Sequence, residues 1–185
     1  MKDIAYNYNY YRKKAVQKSI FLECGFNPEA AVFDIDDGQV KKHQSFVLDR
    51  ILIDTTGLIK PMIKIDFSSF IVFAGEDEGT YEPEVEVDLL FRLVRVCNGV
   101  CETIQSWRYQ KEIDVEDDNE TATLELELEI SEAFSVTYCD RSCPGCCEYK
   151  MVVEGKDFEG EFDYLRVVKP TLTAIVQGTV QEYYC

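Results

Sequence analysis

The chain has 185 residues, enough for one domain with a sizeable core, and 46% of them are hydrophobic, which argues against disorder. The formal net charge is −16, whereas nucleic-acid binders present a basic surface, so we expect no nucleic-acid partner. No apolar run of about 18 residues occurs, so we predict no membrane span.

Residues 1–23 differ in charge and composition from the rest of the chain. They carry five basic and two acidic side chains, a charge of +3, which leaves −19 for residues 24–185. Tyrosines and asparagines alternate over residues 6–10, and this period of two indicates an extended segment with three rings on one face. A frayed terminus is the alternative. The residues of this predicted assembly arm are Tyr6, Tyr8, Tyr10, Tyr11, Arg12, Lys13 and Lys14.

Residues 24–185 are predicted to form one all-β domain. The clearest strand is TLELELEI at 123–130, whose leucines and isoleucine share a face only if the segment is extended. Further candidate strands are 30–36, 44–54, 63–67, 84–93, 103–111, 133–138, 149–153, 162–168 and 171–180. Turn signals between them include Asp37-Gly38, Gly75 to Gly79, Asn98-Gly99 and Gly155. About 8–10 short antiparallel strands predict a jelly-roll-like β-sandwich with an extended N-terminal arm.

The sequence offers little for catalysis, and we predict that the protein is not an enzyme and needs no cofactor. The single histidine, His43, lies in the polar stretch KKHQS, and we expect a solvated side chain there. No glycine-rich phosphate loop is followed by a helix. The acidic stretches at 34–38, 75–79 and 116–120 could hold a cation weakly, but exposed charge runs are ordinarily solvated.

Eight cysteines are the most specific feature, and four of them lie in the stretch CDRSCPGCCEY at 139–149. A disulfide framework, a zinc site and a redox pair all fit this cluster. The spacings Cys97-x-x-x-Cys101 and Cys143-x-x-Cys146 suit two halves of a four-thiolate zinc site. The CPGC pair lies between two predicted strands and not before a helix, which disfavours redox catalysis. The candidate disulfide or cross-link residues are Cys24, Cys97, Cys101, Cys139, Cys143, Cys146, Cys147 and Cys185.

The placement of these cysteines favours links between subunits. Adjacent Cys146 and Cys147 would point to opposite faces of a strand, so one can bond internally while the other reaches a neighbour. Cys24 lies where the arm meets the body, and Cys185 is the last residue. The N-terminus lacks an apolar stretch and a small-residue cleavage site, so we expect synthesis without a signal peptide.

Several stretches resemble a cysteine-bearing family of unknown function from clostridia, described as domain of unknown function 4489. They are ECG at 23–25, IDTTGLIKPMIKIDFSS at 53–69, LLFRLVRVCNGV at 89–100, LTAIVQG at 172–178 and the CDRSCPGCCEY cluster. The overall plan is also similar to that of endospore appendage fibre subunits, which are cysteine-bearing jelly rolls with a flexible N-terminal connector. This resemblance implies a spore-surface location, reached without a signal peptide once the mother cell lyses. Residues 1–23 contain no cysteine, so this arm cannot itself form the disulfide between subunits.

These observations predict a structural subunit that assembles with copies of itself. The arm of one subunit would add a strand to an open sheet edge of the next, head to tail, and disulfides would lock the homopolymer. We expect an extracellular location on a spore or cell surface. One alternative is a monomeric, disulfide-rich surface binding module with Trp107 and Tyr109 as contacts. The other is an intracellular β protein that binds zinc through four cysteine thiolates.

Overall fold

A computed structural model describes residues 18–79, 84–114, 124–141 and 144–180, and every regular element in these ranges is a β-strand. The strands are β1 (Lys18–Cys24), β2 (Ala31–Val32), β3 (Ile35–Asp36), β4 (Gln39–Val40), β5 (Ser45–Asp54), β6 (Leu58–Gly79), β7 (Glu84–Cys97), β8 (Val100–Asp114), β9 (Leu124–Asp140), β10 (Cys146–Glu159) and β11 (Glu161–Val180). In this part of the chain, no helix is long and apolar enough to cross a membrane.

Nine of these strands form two antiparallel sheets that pack face to face. Sheet 1 has the order β1-β11-β6-β9, with the short β2 also paired to β11, and sheet 2 has the order β5-β10-β7-β8. The first strand therefore pairs with the last, and from β5 onward successive strands alternate between the sheets except at the β7–β8 hairpin, which is a jelly-roll arrangement. The predicted all-β, jelly-roll-like sandwich is confirmed. Strands β3 and β4 form a small separate ribbon.

The core lies between the sheets, where the strands place alternate side chains. On β6, Ile63, Ile65 and Phe67 are buried, while Lys64 between them is exposed. Five buried side chains of β7 face them from sheet 2: Val85, Val87, Leu89, Phe91 and Leu93. Burying each such side chain contributes about 1.5–3 kcal/mol relative to leaving it in water, and this gain requires the extended conformation.

Strand pairing gives the sandwich two different ends. At the cysteine end, β7 ends at Cys97, β9 ends at Asp140 and β10 begins at Cys146. Strand β1 begins at this end, since Lys18 pairs with Thr179 near the end of β11. At the opposite end, which we call the acidic end, β7 and β11 begin and β8 and β10 finish.

The structure differs from the sequence-based strand assignment in three places. Residues 18–23, assigned to the arm segment, belong to β1 and pair with β11. The predicted separate strands at 123–130 and 133–138 both fall in one continuous β9, with Thr123 outside the described residues. Gly75 and Gly155, predicted as turns, lie inside β6 and β10 because their missing side chains make room for close neighbours. A Cβ at Gly75 would meet the Glu161 carbonyl at 3.1 Å, and one at Gly155 would meet the Phe158 ring at 2.6 Å.

Candidate functional site

The cysteine end gathers five of the six cysteines that the structure describes: Cys97, Cys101, Cys139, Cys146 and Cys147. A tight turn at Asn98-Gly99 joins β7 to β8 and places Cys101 near Cys97. Both turn residues have positive φ angles, 51° and 78°, as an Asn-Gly hairpin turn requires. The sixth cysteine, Cys24, ends β1 on the edge of sheet 1.

One pair of these cysteines forms a disulfide within the subunit. Cys97 on β7 and Cys147 on β10 are cross-strand partners, and their Cα atoms are 4.5 Å apart, within the range that a disulfide can bridge. Cys147 is only 5% exposed and belongs to the core. The bond therefore ties the two central strands of sheet 2 together at their ends.

The other described cysteines, Cys24, Cys101, Cys139 and Cys146, are free and exposed. Cys146 precedes the disulfide residue Cys147 on the same strand, and strand alternation turns its thiol away from the core. The pair therefore divides as expected for neighbours on a strand, one internal and one outward. Cys143 and Cys185, also predicted as cross-link residues, lie outside the described residues.

A charged cluster lies next to the cysteine end and connects the two sheets. The guanidinium of Arg95 donates to the carboxylates of Asp140 at 2.8 Å and Glu102 at 2.9 Å. The Tyr149 hydroxyl donates to the same Asp140 carboxylate at 2.8 Å. Burial opposes the charge on Arg95, but these hydrogen bonds outweigh it and hold its pKa above the ordinary value. Beside this cluster, a half-open pocket of about 280 Å³ reaches the Cys97–Cys147 disulfide and Cys146.

The sandwich has one closed side and one open side. On the closed side, between β1 and β5, the chain after β1 crosses from sheet to sheet. The Gly25 amide donates to the Leu172 carbonyl of sheet 1 at 2.7 Å, and the Phe26 amide donates to the Arg50 carbonyl of sheet 2 at 3.0 Å. The buried Asp49 carboxylate accepts from the Leu172 amide at 2.9 Å.

The open side lies between the edge strands β8 and β9. In the described chain, β8 pairs only with β7 and β9 only with β6. The inward side chains of both strands pack on the core but remain half-buried: Ile104, Trp107, Tyr109, Leu126, Leu128, Ile130, Phe134, Val136 and Tyr138. The Phe134 ring stacks on Phe91 at 4.1 Å. An apolar seam therefore runs along this side with unpaired strand edges on both flanks.

A single polar bridge joins β8 and β9 across this seam in the part of the chain that the structure describes. The Tyr109 hydroxyl donates to the Glu132 carboxylate at 2.9 Å, and the Lys111 ammonium lies 3.6 Å from that carboxylate. Burial and, after it, the Glu132 carboxylate raise the pKa of Tyr109. Trp107 and Tyr109, considered as exposed contacts of a binding module, thus lie mid-strand and face the seam.

The acidic end carries carboxylates on neighbouring strands. Glu86 on β7 pairs with Glu112 on β8 and with Glu159 on β10, so three glutamates lie side by side across sheet 2. Burial, followed by the neighbouring carboxylates of Glu159 and Glu112, raises the pKa of Glu84. Among the described residues, the group whose atoms lie close enough to hold a metal ion consists of Glu84, Glu86 and Glu159, and it contains no cysteine.

Three further sequence-based assignments concern the arm, His43 and the zinc site. The arm residues Tyr6, Tyr8, Tyr10, Tyr11, Arg12, Lys13 and Lys14 lie outside the described residues. The His43 side chain is exposed and lies 3.9 Å from Glu154. The zinc alternative requires Cys97 as a ligand, but Cys97 is bonded to Cys147 in this structure.

The model of one protein family, domain of unknown function DUF4489, matches residues 18–177. The chain belongs to this family. The DUF4489 match covers both sheets, the disulfide and the open side, and the predicted resemblance to the domain of unknown function 4489 is confirmed. No curated protein matches the chain.

Two solved structures show a weak likeness to this DUF4489 chain. A T=1 particle derived from infectious bursal virus matches with 8% identity and a TM-score of 0.21, covering 89% of this chain and 40% of that one. A VP2 subviral particle of infectious bursal disease virus matches with 9% identity and a TM-score of 0.18, covering 89% and 42%. This chain therefore spans less than half the length of either, and the TM-scores are too low to indicate a shared fold.

Proposed function

We propose that this protein is a structural subunit that assembles with copies of itself into a fibre or appendage on a spore or cell surface. The observation that carries the proposal is the division of its cysteines. Among the described cysteines, one pair forms a disulfide inside the subunit, while four thiols are exposed on strands of both sheets. A protein that needed cysteines only for its own stability would pair them internally.

The exposed thiols supply the covalent part of the assembly. When two thiols on neighbouring subunits form a disulfide, two protons and two electrons leave, and molecular oxygen outside the cell is the oxidant. Disulfides persist in such an oxidising environment. Cys139 on β9 of sheet 1 and Cys101 on β8 of sheet 2 lie on the edge strands, where a neighbour can approach.

The open side supports the non-covalent part. Its strand edges offer unpaired amides and carbonyls, and an added strand satisfies such groups while covering apolar side chains. The N-terminal segment carries a positive charge, whereas the body is strongly negative, so association of one copy's arm with another copy's body is favoured. A head-to-tail contact of this kind yields an open filament when its rotation does not close a ring.

Electrophoresis of material from the native source, with and without reductant, tests the proposal. We expect a ladder of covalent multimers that collapses to one band on reduction, and filaments by electron microscopy. A matched variant changes every cysteine except Cys97 and Cys147 to serine. This variant should keep the fold, shown by an unchanged circular dichroism spectrum, but lose the ladder. Single particles at all concentrations, with no ladder, would rule the proposal out.

A monomeric surface binding module is the second candidate, and the half-open pocket beside the disulfide favours it. Of its charged residues, Arg95 and Glu102 are paired with each other, and Arg141 offers a guanidinium to a ligand. Size-exclusion chromatography separates the two candidates, since a module elutes as a monomer at every concentration.

A further inference from the structure

One stretch of the β9 edge carries few of the charged side chains that prevent pairing with another strand. Natural proteins protect edge strands from pairing with other chains by placing charges on them. Over residues 131–138, SEAFSVTY, the only charged side chain is Glu132, which already bonds to Tyr109 across the seam. Ser131, Ala133, Ser135 and Thr137 are exposed on the outer face, and Phe134, Val136 and Tyr138 are half-buried on the inner face. This stretch is therefore a template for one more strand.

The N-terminal segment matches this template residue by residue. Its tyrosines recur with the same period of two as the inward side chains of β9, and its asparagines alternate with them. In one antiparallel register, Tyr6, Tyr8, Tyr10 and Arg12 lie opposite Tyr138, Val136, Phe134 and Glu132. On the other face, Asn7 and Asn9 lie opposite Thr137 and Ser135. Aromatic rings thus meet apolar side chains, amides meet hydroxyls, and arginine meets glutamate, all of which are favourable cross-strand pairs.

The charges select the antiparallel direction. In this direction Lys13 and Lys14 follow Arg12 toward Glu129 and Glu127 in the acidic half of β9. A parallel strand with the same tyrosines over the same residues would place Arg12 beside Asp140. That carboxylate is buried and already bonded to Arg95 and Tyr149, whereas the Glu132 side chain is 44% exposed and remains accessible to a further cation.

Chain length shows that the arm must come from another copy. Glu132 pairs with Ile71 of β6, whereas Lys18 lies in the row of Thr179 and Ile59. Ile59 and Ile71 are twelve residues apart on one strand, about 40 Å. The six residues from Arg12 to Lys18 span at most about 21 Å when fully extended. An arm in this register therefore cannot reach β9 of its own subunit.

We infer that residues 6–12 of one copy add as an antiparallel strand to residues 132–138 of β9 in a second copy. This inference rests on the proposed assembly and names the surface through which it occurs. The added strand extends sheet 1 beyond β9 and covers the apolar seam. Its hydrogen bonds satisfy the free edge of β9, and Trp107 on the facing strand loses contact with water.

Disulfide trapping in the full chain tests the register. Asn9→Cys and Ser135→Cys are made in separate preparations, mixed, and oxidised by dissolved oxygen, which takes the two electrons released by each pair of thiols. We expect a reducible dimer whose linked peptides contain both substitutions by mass spectrometry. The matched control replaces Ser135→Cys by Ser68→Cys. Ser68 is exposed in the same row but one strand inward, so about tenfold less of its cross-link should form because the added strand lies too far away.

Fluorescence provides a second measurement that needs no cross-link. Trp107 is the only tryptophan, and it lies in the seam. As the wild-type protein is concentrated through the assembly range, we expect its emission to shift to shorter wavelength. In a Tyr8→Ser/Tyr10→Ser variant, we expect the emission wavelength to stay at the value of the dilute protein at every concentration.

The outcomes separate the inference from the proposed function. Filaments that form without the 9–135 cross-link and without the Trp107 shift would overturn the inference and leave self-assembly standing. A monomer under all conditions would overturn both. If a chain carrying both Asn9→Cys and Ser135→Cys forms the cross-link within itself, and the mixed single variants never form it between chains, the inference is also overturned.

Discussion

The closed and open sides of the sandwich cover the same kind of core by different means. On the closed side, a chain segment runs across the gap, and its amides at Gly25, Phe26 and Glu29 bond to carbonyls of both sheets. On the open side, no described segment crosses between β8 and β9, and the described side chains that link them are Tyr109 and Lys111, which both contact Glu132. The monomer thus completes one side by itself, while the apolar surface of the other side stays half in water.

This difference shows where further stability is available. Covering apolar surface contributes about 25 cal/mol for each Å² removed from water. The closed side has already gained this energy during folding, whereas the open side gains it only on binding. Substitutions on the closed side should therefore act on folding alone, and substitutions on the open side should act on both folding and assembly.

The largest effect is expected from removing the Cys97–Cys147 disulfide, which joins the two central strands of sheet 2 between the closed and open sides. Cys97→Ser with Cys147→Ser frees a loop with a sequence separation of 50 residues. The unfolded chain gains entropy, and we expect the free energy of unfolding in urea to fall by about 4 kcal/mol. Hydrogen exchange should then show greater loss of protection in β8 than in β5, because only β5 is held by the closed side. The control, Cys101→Ser with Cys146→Ser, should change stability by less than about 0.5 kcal/mol.

The next largest effect is expected at Asp49, which seals the closed side. This carboxylate is 2% exposed and accepts from the amides of Leu172 and Arg50 at 2.9 and 2.7 Å. Asp49→Ala leaves a buried Leu172 amide without its acceptor, so we expect a loss of about 3 kcal/mol in urea unfolding. Asp36→Ala, at an exposed position of the β3–β4 ribbon, is the control. If filaments still form with normal yield under conditions where the variant is folded, the separation between the two sides is supported.

A moderate effect is expected at Phe134 on the open side. Phe73→Ala removes a fully buried ring and should cost about 4 kcal/mol, whereas Phe134→Ala removes a half-buried ring and should cost about 2 kcal/mol. Assembly should reverse this order of importance. We expect Phe134→Ala to raise the concentration needed for filaments more than Phe73→Ala does, measured by sedimentation of each variant. Equal shifts in this concentration would show that the open side is no special surface.

The comparison also explains which features could be predicted from sequence. The strict alternation at Ile63, Ile65 and Phe67 identifies a strand because only local periodicity is needed. The seal at Asp49 could not be predicted, because the carboxylate meets the amide of Leu172, 123 residues away. The partner of Cys147 likewise depends on the β10–β7 pairing, although its opposition to Cys146 follows from strand geometry.

The glycines also show a limit of prediction from sequence. Gly75 and Gly155 are turn signals in the sequence, yet they lie inside long strands because a neighbour occupies the space of the missing side chain. At Gly38 and Gly99, by contrast, the φ angles of 75° and 78° show true turns. Sequence alone cannot distinguish a glycine kept for its backbone angle from one kept for the space beside it, since that space is filled by distant residues.

The smallest effect is expected at the acidic end, where like charges oppose each other within sheet 2. Glu112→Gln removes one of the three glutamates that lie across β10, β7 and β8, and we expect a gain of about 0.5 kcal/mol in urea unfolding at neutral pH. The matched control is Glu102→Gln on the same strand, whose carboxylate pairs with Arg95, so this variant should lose stability.

Glu84 makes the stability of the acidic end depend on pH. Its pKa is raised in the folded protein, so the folded state binds a proton at higher pH than the unfolded chain does. Stability should therefore increase as the pH falls from neutrality through the raised pKa, and this gain should be complete below the unfolded value. Asp66 and Glu154 have lowered pKa values, so their contributions are lost as the pH falls further through their folded-state values. Because Glu112 helps to raise the pKa of Glu84, Glu112→Gln should flatten the first of these slopes and leave the second unchanged. Urea midpoints measured across this range test both parts, and a parallel shift of the whole curve would show that the repulsion at the acidic end does not reach Glu84.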